Sequence, residues 1–226
     1  NGSIDAEIVI NAGGFRAAEV QALVGQALPV VSMEHQYLVT EDVAEIEALD
    51  AMLPLLRDPD ESYYLRQERQ GLILGPYERD CRTWGADGIP DAFGMELLAP
   101  DLDRLETYVE GAMRRVPALA EAGIKNVING PIPYTPDGLP LLGPAHGLEN
   151  FYLCAAFSFG IVQGGGAGKL IAEILVDGQA EWDTWELDPR RFTDYATKRY
   201  TVERALELYA REYDIIFPAE ERPAGR

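Results

Sequence analysis

The chain has 226 residues, 47% of them hydrophobic, and a formal net charge of -19. It can therefore build one large core or two small ones and is not a disordered tail. So acidic a balance argues against nucleic acid and against anionic membrane surfaces, both of which demand a basic footprint, and no stretch reaches the ~20 apolar residues of a membrane span.

The chain opens on Asn1-Gly2-Ser3, without a methionine, which suggests a fragment of a longer protein. Ile8-Val9-Ile10 ends in Asn11-Ala12-Gly13-Gly14 and reads as a buried strand feeding a helix, the α/β pattern. The spacing predicts that helix over residues 15–24, with Ala18, Ala22 and Leu23 on its inner face. From residue 28 to about 77 the texture changes. A strand over 30–40, another at 62–66 and a third at 71–75 are rich in Tyr, Leu, Ile and Val between turn residues, which favours an antiparallel sheet. Val43, Ile46, Leu49 and Leu53 between them have helical spacing. Pro100-Asp101 opens the clearest amphipathic helix, with Leu102, Leu105, Val109, Ala112, Met113 and Val116 at steps of three and four. Pro117 kinks or ends it, Gly123 closes it, and a strand follows at 125–129.

Tyr134-Thr135-Pro136-Asp137-Gly138 has turn chemistry, because proline fixes φ and glycine accepts a positive φ. A strand over 151–157 runs into Ser158-Phe159-Gly160 and the glycines 164–168, after which a helix is expected to Val176. Residues 182–192 read as irregular packing. A long amphipathic helix covers 195–213 with Val202, Ala205, Leu206, Tyr209 and Tyr213 on one side, and residues 220–226 read as a polar linker.

Cys81 and Cys154 are the only cysteines, which suits a reducing compartment and two small buried hydrophobes. With His35 and His146 they form no zinc pattern, and no metal is expected. Two glycine-bearing strand-to-helix turns, at 11–14 and 160–168, either pack tightly or receive an anion at a helix N-terminus. The usual dinucleotide fingerprint GxGxxG is absent. His35 is either a satisfied strand histidine or a base that titrates near neutral pH. Tyr63 and Tyr64 point to opposite faces of a regular strand. Arg66 either grips a carboxylate or faces solvent, and Tyr134 either closes a pocket or packs. Taken alone, these residues give an α/β protein that can hold an anion at helix N-termini.

Asn11-Ala12-Gly13-Gly14-Phe15, Met33-Glu34-His35-Gln36-Tyr37, Ser62-Tyr63-Tyr64-Leu65-Arg66, Tyr134 to Pro140 and Phe157 to Gly168 nevertheless resemble, in order and spacing, the FAD-dependent oxidases and dehydrogenases related to D-amino acid oxidase. The chain is most similar to the dimethylglycine and sarcosine dehydrogenases, over nearly its whole length. The resemblance implies an α/β chain of mixed α+β character: a partial FAD-binding Rossmann-like domain with an inserted antiparallel-sheet substrate domain, lacking the N-terminal βαβ dinucleotide unit. It implies residues 1–30 and 131–180 as parts of the FAD-binding domain, 31–130 as the substrate domain, and 181–226 as a C-terminal helix and linker. It places Asn11, Ala12 and Gly13 under the FAD pyrophosphate, Asp137 and Gly138 near the ribityl chain, and Gly160, Ile161 and Val162 at the flavin N1–C2=O edge. His35 and Tyr63 match a His–Tyr pair on the substrate side, and Gln163 stands where related oxidases carry a lysine.

The implied activity is oxidative demethylation of dimethylglycine or sarcosine by hydride transfer to FAD; Tyr134 and Arg66 are the candidate substrate contacts. Tetrahydrofolate would bind a domain that follows. An electron-accepting flavoprotein is an implied partner. The fragment alone is expected to hold FAD weakly or not at all and to self-associate through a face left bare. The compartment would be the cytoplasm, or the mitochondrial matrix in a eukaryote. Two alternatives stand beside this reading: a non-catalytic or split subunit of a heteromeric amine oxidase, and a related oxidase of another secondary amine such as proline.

Overall fold

The computed structural model describes residues 2–215 and 217–220; most of the linker expected at 220–226 lies outside them. In chain order the elements are β1 (Val9–Asn11), α1 (Ala17–Ala22), β2 (Val31–Thr40), α2 (Ala44–Glu47), β3 (Leu56–Asp58), β4 (Tyr63–Glu68), β5 (Gly71–Pro76), β6 (Thr83–Trp84), α3 (Glu106–Arg115), β7 (Ile124–Tyr134), β8 (Leu141–Pro144), β9 (Phe151–Ala155), α4 (Gly160–Asp177) and α5 (Lys198–Ala210). They form two compact units. One comprises Asn1–Ser32, Thr83–Ile89 and Ile132–Ala205; the other comprises Met33–Arg82, Pro90–Pro131 and Leu206–Arg226.

The first unit is built on a three-stranded sheet of order β1-β9-β8, with β1 parallel and β8 antiparallel to β9. Adjacent residues of a strand face opposite ways. Leu141 accordingly packs with Phe151, Leu153 and Phe192, while Leu142 packs with Ala167, Leu170 and Ile171 of α4. The sheet is thus apolar on both faces, as in α/β layers. Ile8, Val9 and Ile10 stay partly exposed.

Two expectations need correction here. The buried residues of α1 are Ala17 and Gln21, whereas Leu23 is 85% exposed. The cause is Asn11, whose side-chain amide reaches Ala17 O at 2.9 Å and Gln21 Oε1 at 3.4 Å, turning that edge inward. The second concerns the glycines from 160 to 168, which do not precede a helix but lie inside α4. Each glycine costs roughly 0.5–1 kcal/mol there. The burial of Ala167, Leu170 and Ile171 against Leu142 and Tyr152 offsets that cost. Gly178, at φ 79°, ends the helix.

The second unit carries an antiparallel sheet in which β3, β4, β5 and β2 follow one another and β7 also pairs β2. Leu74 of β5 lies opposite Leu65 of β4 and Leu38 of β2. These three, with Tyr63 and Leu72, form the core face, which Leu105, Ala112 and Leu119 cover. The helix expected from Pro100 starts only at Glu106. Both backbone polar groups of Asp101 are already taken by the Gln36 side chain, at 3.1 and 3.0 Å, which holds that segment outside the helix. The helical spacing at 43–53 yields only the four residues of α2, with Val43 and Ile46 buried and Leu49 and Leu53 exposed.

Candidate functional site

In the second unit the strand register assigns each expected residue a face. Tyr63 shares its face with Leu65 and is wholly buried in the core. His35 is odd-numbered in β2, whereas Leu38 on the core face is even-numbered, so His35 lies on the opposite face with Tyr37. Tyr64 and Arg66 of β4, and Arg57 of β3 across from Tyr64, take that same face. The structure thus does not bring His35 and Tyr63 together. The tyrosine of that pair of neighbours on the histidine's face is Tyr64.

The His35 ring packs 4.9 Å from Tyr77 and 5.8 Å from Tyr209, centroid to centroid. Its Nδ1 lies 2.8 Å from the Tyr209 hydroxyl. Burial disfavours the imidazolium and lowers the pKa from 6.5 to about 4, so the ring is neutral at pH 7. Burial, and then neighbouring Tyr37, raise the pKa of Tyr64. Arg57 stacks its guanidinium 4.5 Å over the Tyr213 ring. Arg66 is bonded to Glu68 at 2.7 Å and keeps nearly half of its side chain exposed. This face therefore presents a neutral imidazole, several phenol rings and two guanidinium groups. Such a set can position a small amine that also carries a carboxylate.

Behind it lies a buried network that sequence reasoning missed. The Tyr209 hydroxyl donates to Glu78 Oε2 at 2.6 Å. Glu78 Oε1 accepts from Gln36 at 3.1 Å and pairs with Arg104 at 3.1 Å. Arg104 also pairs with Glu34 at 2.7 Å. Burial raises the Glu78 pKa, while Tyr209 and Arg104 pull it down.

In the first unit, Asn11 is buried and its side chain is spent on its own turn, with Oδ1 accepting from the Gly13 N–H at 3.1 Å. Ala12 is exposed. A methyl at Gly13 would stand 3.1 Å from the Ala17 backbone, so glycine permits this close approach. Gly160, Ile161 and Val162 form the first turn of α4 and are exposed, Ile161 fully. No side chain caps that turn and no acidic residue lies in it, although the chain is acidic overall. Its N–H groups are thus available to a flavin edge or phosphate, and these residues fit such a group. Gln163 buries a side-chain oxygen that lacks a hydrogen-bond partner.

Thr135 to Gly138 make the expected turn, with Gly138 at φ 77°. Asp137 Oδ1 accepts from Thr135 Oγ1 at 2.9 Å and from the Leu139 N–H at 3.0 Å. Arg191 clamps the carboxylate in bidentate fashion, at 2.7 and 3.0 Å, and Arg204 donates to Pro136 O at 3.1 Å. Tyr134 is buried. A cavity of about 660 Å3 in this unit, lined by Leu28, Phe192, Thr197 and Thr201 among others, includes none of the expected site residues.

No helix among the described residues is long and apolar enough to cross a membrane, and none of their His, Cys, Asp and Glu side chains cluster as a metal site. Cys81 and Cys154 are free thiols, and burial pushes Cys81 up to about 11.

A family model described as FAD dependent oxidoreductase matches residues 1–174, and one described as FAD dependent oxidoreductase central domain matches residues 177–226. The chain is 44% identical over 230 residues to mitochondrial dimethylglycine dehydrogenase of Rattus norvegicus, covering 100% of this chain and 27% of that protein. It is 38% identical to mitochondrial sarcosine dehydrogenase of Mus musculus, covering 100% of this chain and 24% of that protein. It therefore spans only about a quarter of the length of these relatives. Among solved structures, L-proline dehydrogenase from P. horikoshii superposes with a TM-score of 0.65 at 24% identity, over 82% of this chain and 46% of that one.

Proposed function

The chain belongs to the FAD-dependent oxidoreductase family, and on that premise we propose that the protein carrying it oxidatively demethylates a small N-methyl amino acid, dimethylglycine or sarcosine. The observation that carries this reading is His35, a neutral imidazole held on the sheet face opposite the core, beside tyrosines and arginines. The similarity to the two dehydrogenases supports the substrate class. The likeness to L-proline dehydrogenase, at 24% identity, concerns the fold and does not move that assignment.

An ammonium has no lone pair from which an iminium can form, so the amine must first be neutral. His35 assists the amine's loss of its proton and orients its lone pair, Tyr64 and Tyr37 pack the N-methyl groups, and Arg66 or Arg57 meets the carboxylate. FAD, when bound, supplies the hydride acceptor. The first turn of α4 (Gly160, Ile161, Val162) would hold the developing negative charge of the flavin edge with its N–H groups. The 11–13 turn and the Asp137–Gly138 turn would hold the rest of the cofactor by their backbone. The carbon leaving as an iminium needs an acceptor, either water or tetrahydrofolate bound elsewhere in the full-length protein. Both relatives carry mitochondrial names, which favours a mitochondrial matrix setting in a eukaryote or the cytoplasm in a bacterium. An electron-accepting flavoprotein would then reoxidise the cofactor.

The visible spectrum of the purified full-length protein, before and after dimethylglycine, tests the proposal. A flavin band that bleaches on adding the substrate under anaerobic conditions supports it. A flavin band untouched by dimethylglycine and by sarcosine rejects the substrate class, and no flavin at all rejects the cofactor.

A further inference from the structure

Hydrogen bonding around His35 constrains which ring nitrogen holds its proton. The Tyr209 hydroxyl has one proton, and at 2.6 Å it gives that proton to Glu78 Oε2. Only lone pairs then remain on the Tyr209 oxygen. It sits 2.8 Å from His35 Nδ1, and two lone pairs cannot share that distance without a proton between them. At Glu78 Oε1 the Gln36 amide nitrogen donates at 3.1 Å and the Arg104 guanidinium lies 3.1 Å away, so Oε2 is the oxygen left to face Tyr209. The Arg104 guanidinium, paired with Glu78 at 3.1 Å, opposes the effect of burial and favours the carboxylate, in which Oε2 accepts the Tyr209 proton.

We infer that Glu78, acting through Tyr209, fixes His35 as the Nδ1–H tautomer and so leaves Nε2 as the unprotonated atom that meets the amine. The inference rests on reading His35 as the amine base and deepens it. Glu78 and Tyr209 are positioning residues. Their effect reaches the substrate only through the imidazole, as the carboxylate partner of a histidine sets its tautomer elsewhere. The described residues give Nε2 no hydrogen-bond partner. The remaining ring neighbour, Tyr77, packs its face. The stretch from Glu34 to Tyr209 thus couples a charged, buried cluster to one imidazole nitrogen on the face opposite the core.

The test reads the proton directly. The chain has two histidines, His35 and His146, so ring-15N labelling gives two imidazole spin systems, and His146→Gln assigns them. At pH 7 the expected result for His35 is a protonated Nδ1 and a bare Nε2. In Glu78→Gln, the side-chain carbonyl must face Gln36 and Arg104, so the amide NH2 faces Tyr209. Tyr209 then accepts there and donates to Nδ1, and the tautomer inverts to Nε2–H. In Tyr209→Phe, Nδ1 loses its acceptor and the Nδ1–H form is no longer enforced. A wild-type spectrum with Nε2–H overturns the inference even if neither variant folds, and so does a folded Glu78→Gln protein that keeps Nδ1–H.

In the full-length protein, Glu78→Gln should lower kcat by ~10²-fold, the range for losing a general base, with little change in KM. An inverted tautomer with unchanged kcat overturns the assignment of Nε2 as the base. Failure of the full-length protein to oxidise any N-methyl amine would sink the functional reading while leaving the tautomer result standing.

Discussion

The ring of Tyr64 lies over Gly75, its partner across the β4–β5 pair, so closely that a methyl group at Gly75 would overlap it. Residue 75 therefore sets how near the Tyr64 ring lies to the sheet. Gly75→Ala should destabilise the protein by about 1–3 kcal/mol, as other overpacked sites do. The double variant with Tyr64→Ala should cost clearly less than the sum of the two single changes, because the clash and the ring vanish together. Denaturant unfolding of the four proteins measures this. Additive costs would mean that ring and glycine do not compete for one space.

His35 carries a pH signature. Its pKa is lowered to about 4 in the fold from an ordinary 6.5, so the unfolded chain binds the extra proton first as pH falls. The contribution is complete above pH 6.5 and is lost progressively as pH falls toward about 4, up to about 3 kcal/mol. His35→Gln should flatten stability between those two pH values. Unfolding midpoints of both proteins at pH 7 and pH 4.5 check it, and parallel losses would show that His35 is not the group responsible.

The same side chain is expected to matter for turnover. In the full-length protein His35→Ala should lower kcat/KM for dimethylglycine by roughly 10²- to 10⁴-fold, the range for losing a general base. Partial rescue by raised pH, where the amine deprotonates in solution, is expected too. A variant as fast as the parent would remove His35 from the chemistry.

The Asp137–Arg191 clamp stabilises the 135–138 turn. Arg191→Ala should cost about 1–2 kcal/mol and lower Tm by a few degrees. Arg191→Lys should recover little, since an ammonium cannot span both carboxylate oxygens. Flavin content of the purified variants provides a second readout, expected to fall in both. Full recovery by lysine would show that charge alone, and not the fork, holds the turn.

Ile8, Val9, Ile10, Ile161 and Val162 leave apolar surface exposed in the 226-residue chain. Isolated chains should therefore self-associate. Light scattering that shows a monomer at high concentration, with no binding of a hydrophobic dye, would count against this.

Much of this architecture was legible locally. The strands around β1, β4, β5 and β9 follow from short apolar runs between turn residues, and Pro136-Asp137-Gly138 announced its turn. Local pattern misled at Gly160–Gly168, where glycine normally punctuates but here sits in a helix whose other stripe is buried. It misled at Leu102 because a remote amide, Gln36, had claimed the backbone of Asp101. Choosing between Tyr63 and Tyr64 requires the register of Leu38 and Leu65 against Leu74, which a single strand does not encode. Glu78, Arg57 and Arg191 carry no local signal, and the helical spacing that puts Tyr209 on a buried stripe does not reveal its hydrogen bonds. Their partners lie far along the chain, and only a remote contact turns an ordinary charged or aromatic residue into part of a site.

That distance has a consequence for synthesis. Tyr209 follows Glu78 by 131 positions and His35 by 174. At roughly 5–20 residues per second, translation exposes the strands on the order of ten seconds before the residue that completes their polar interior emerges. Until then Glu78 lacks the hydroxyl donor it has in the finished protein, and the imidazole is free to take up either proton arrangement. The helix α5 thus supplies the last member of this network to emerge, and a nascent chain released or cleaved before residue 209 would carry the sheet with its histidine chemically undecided.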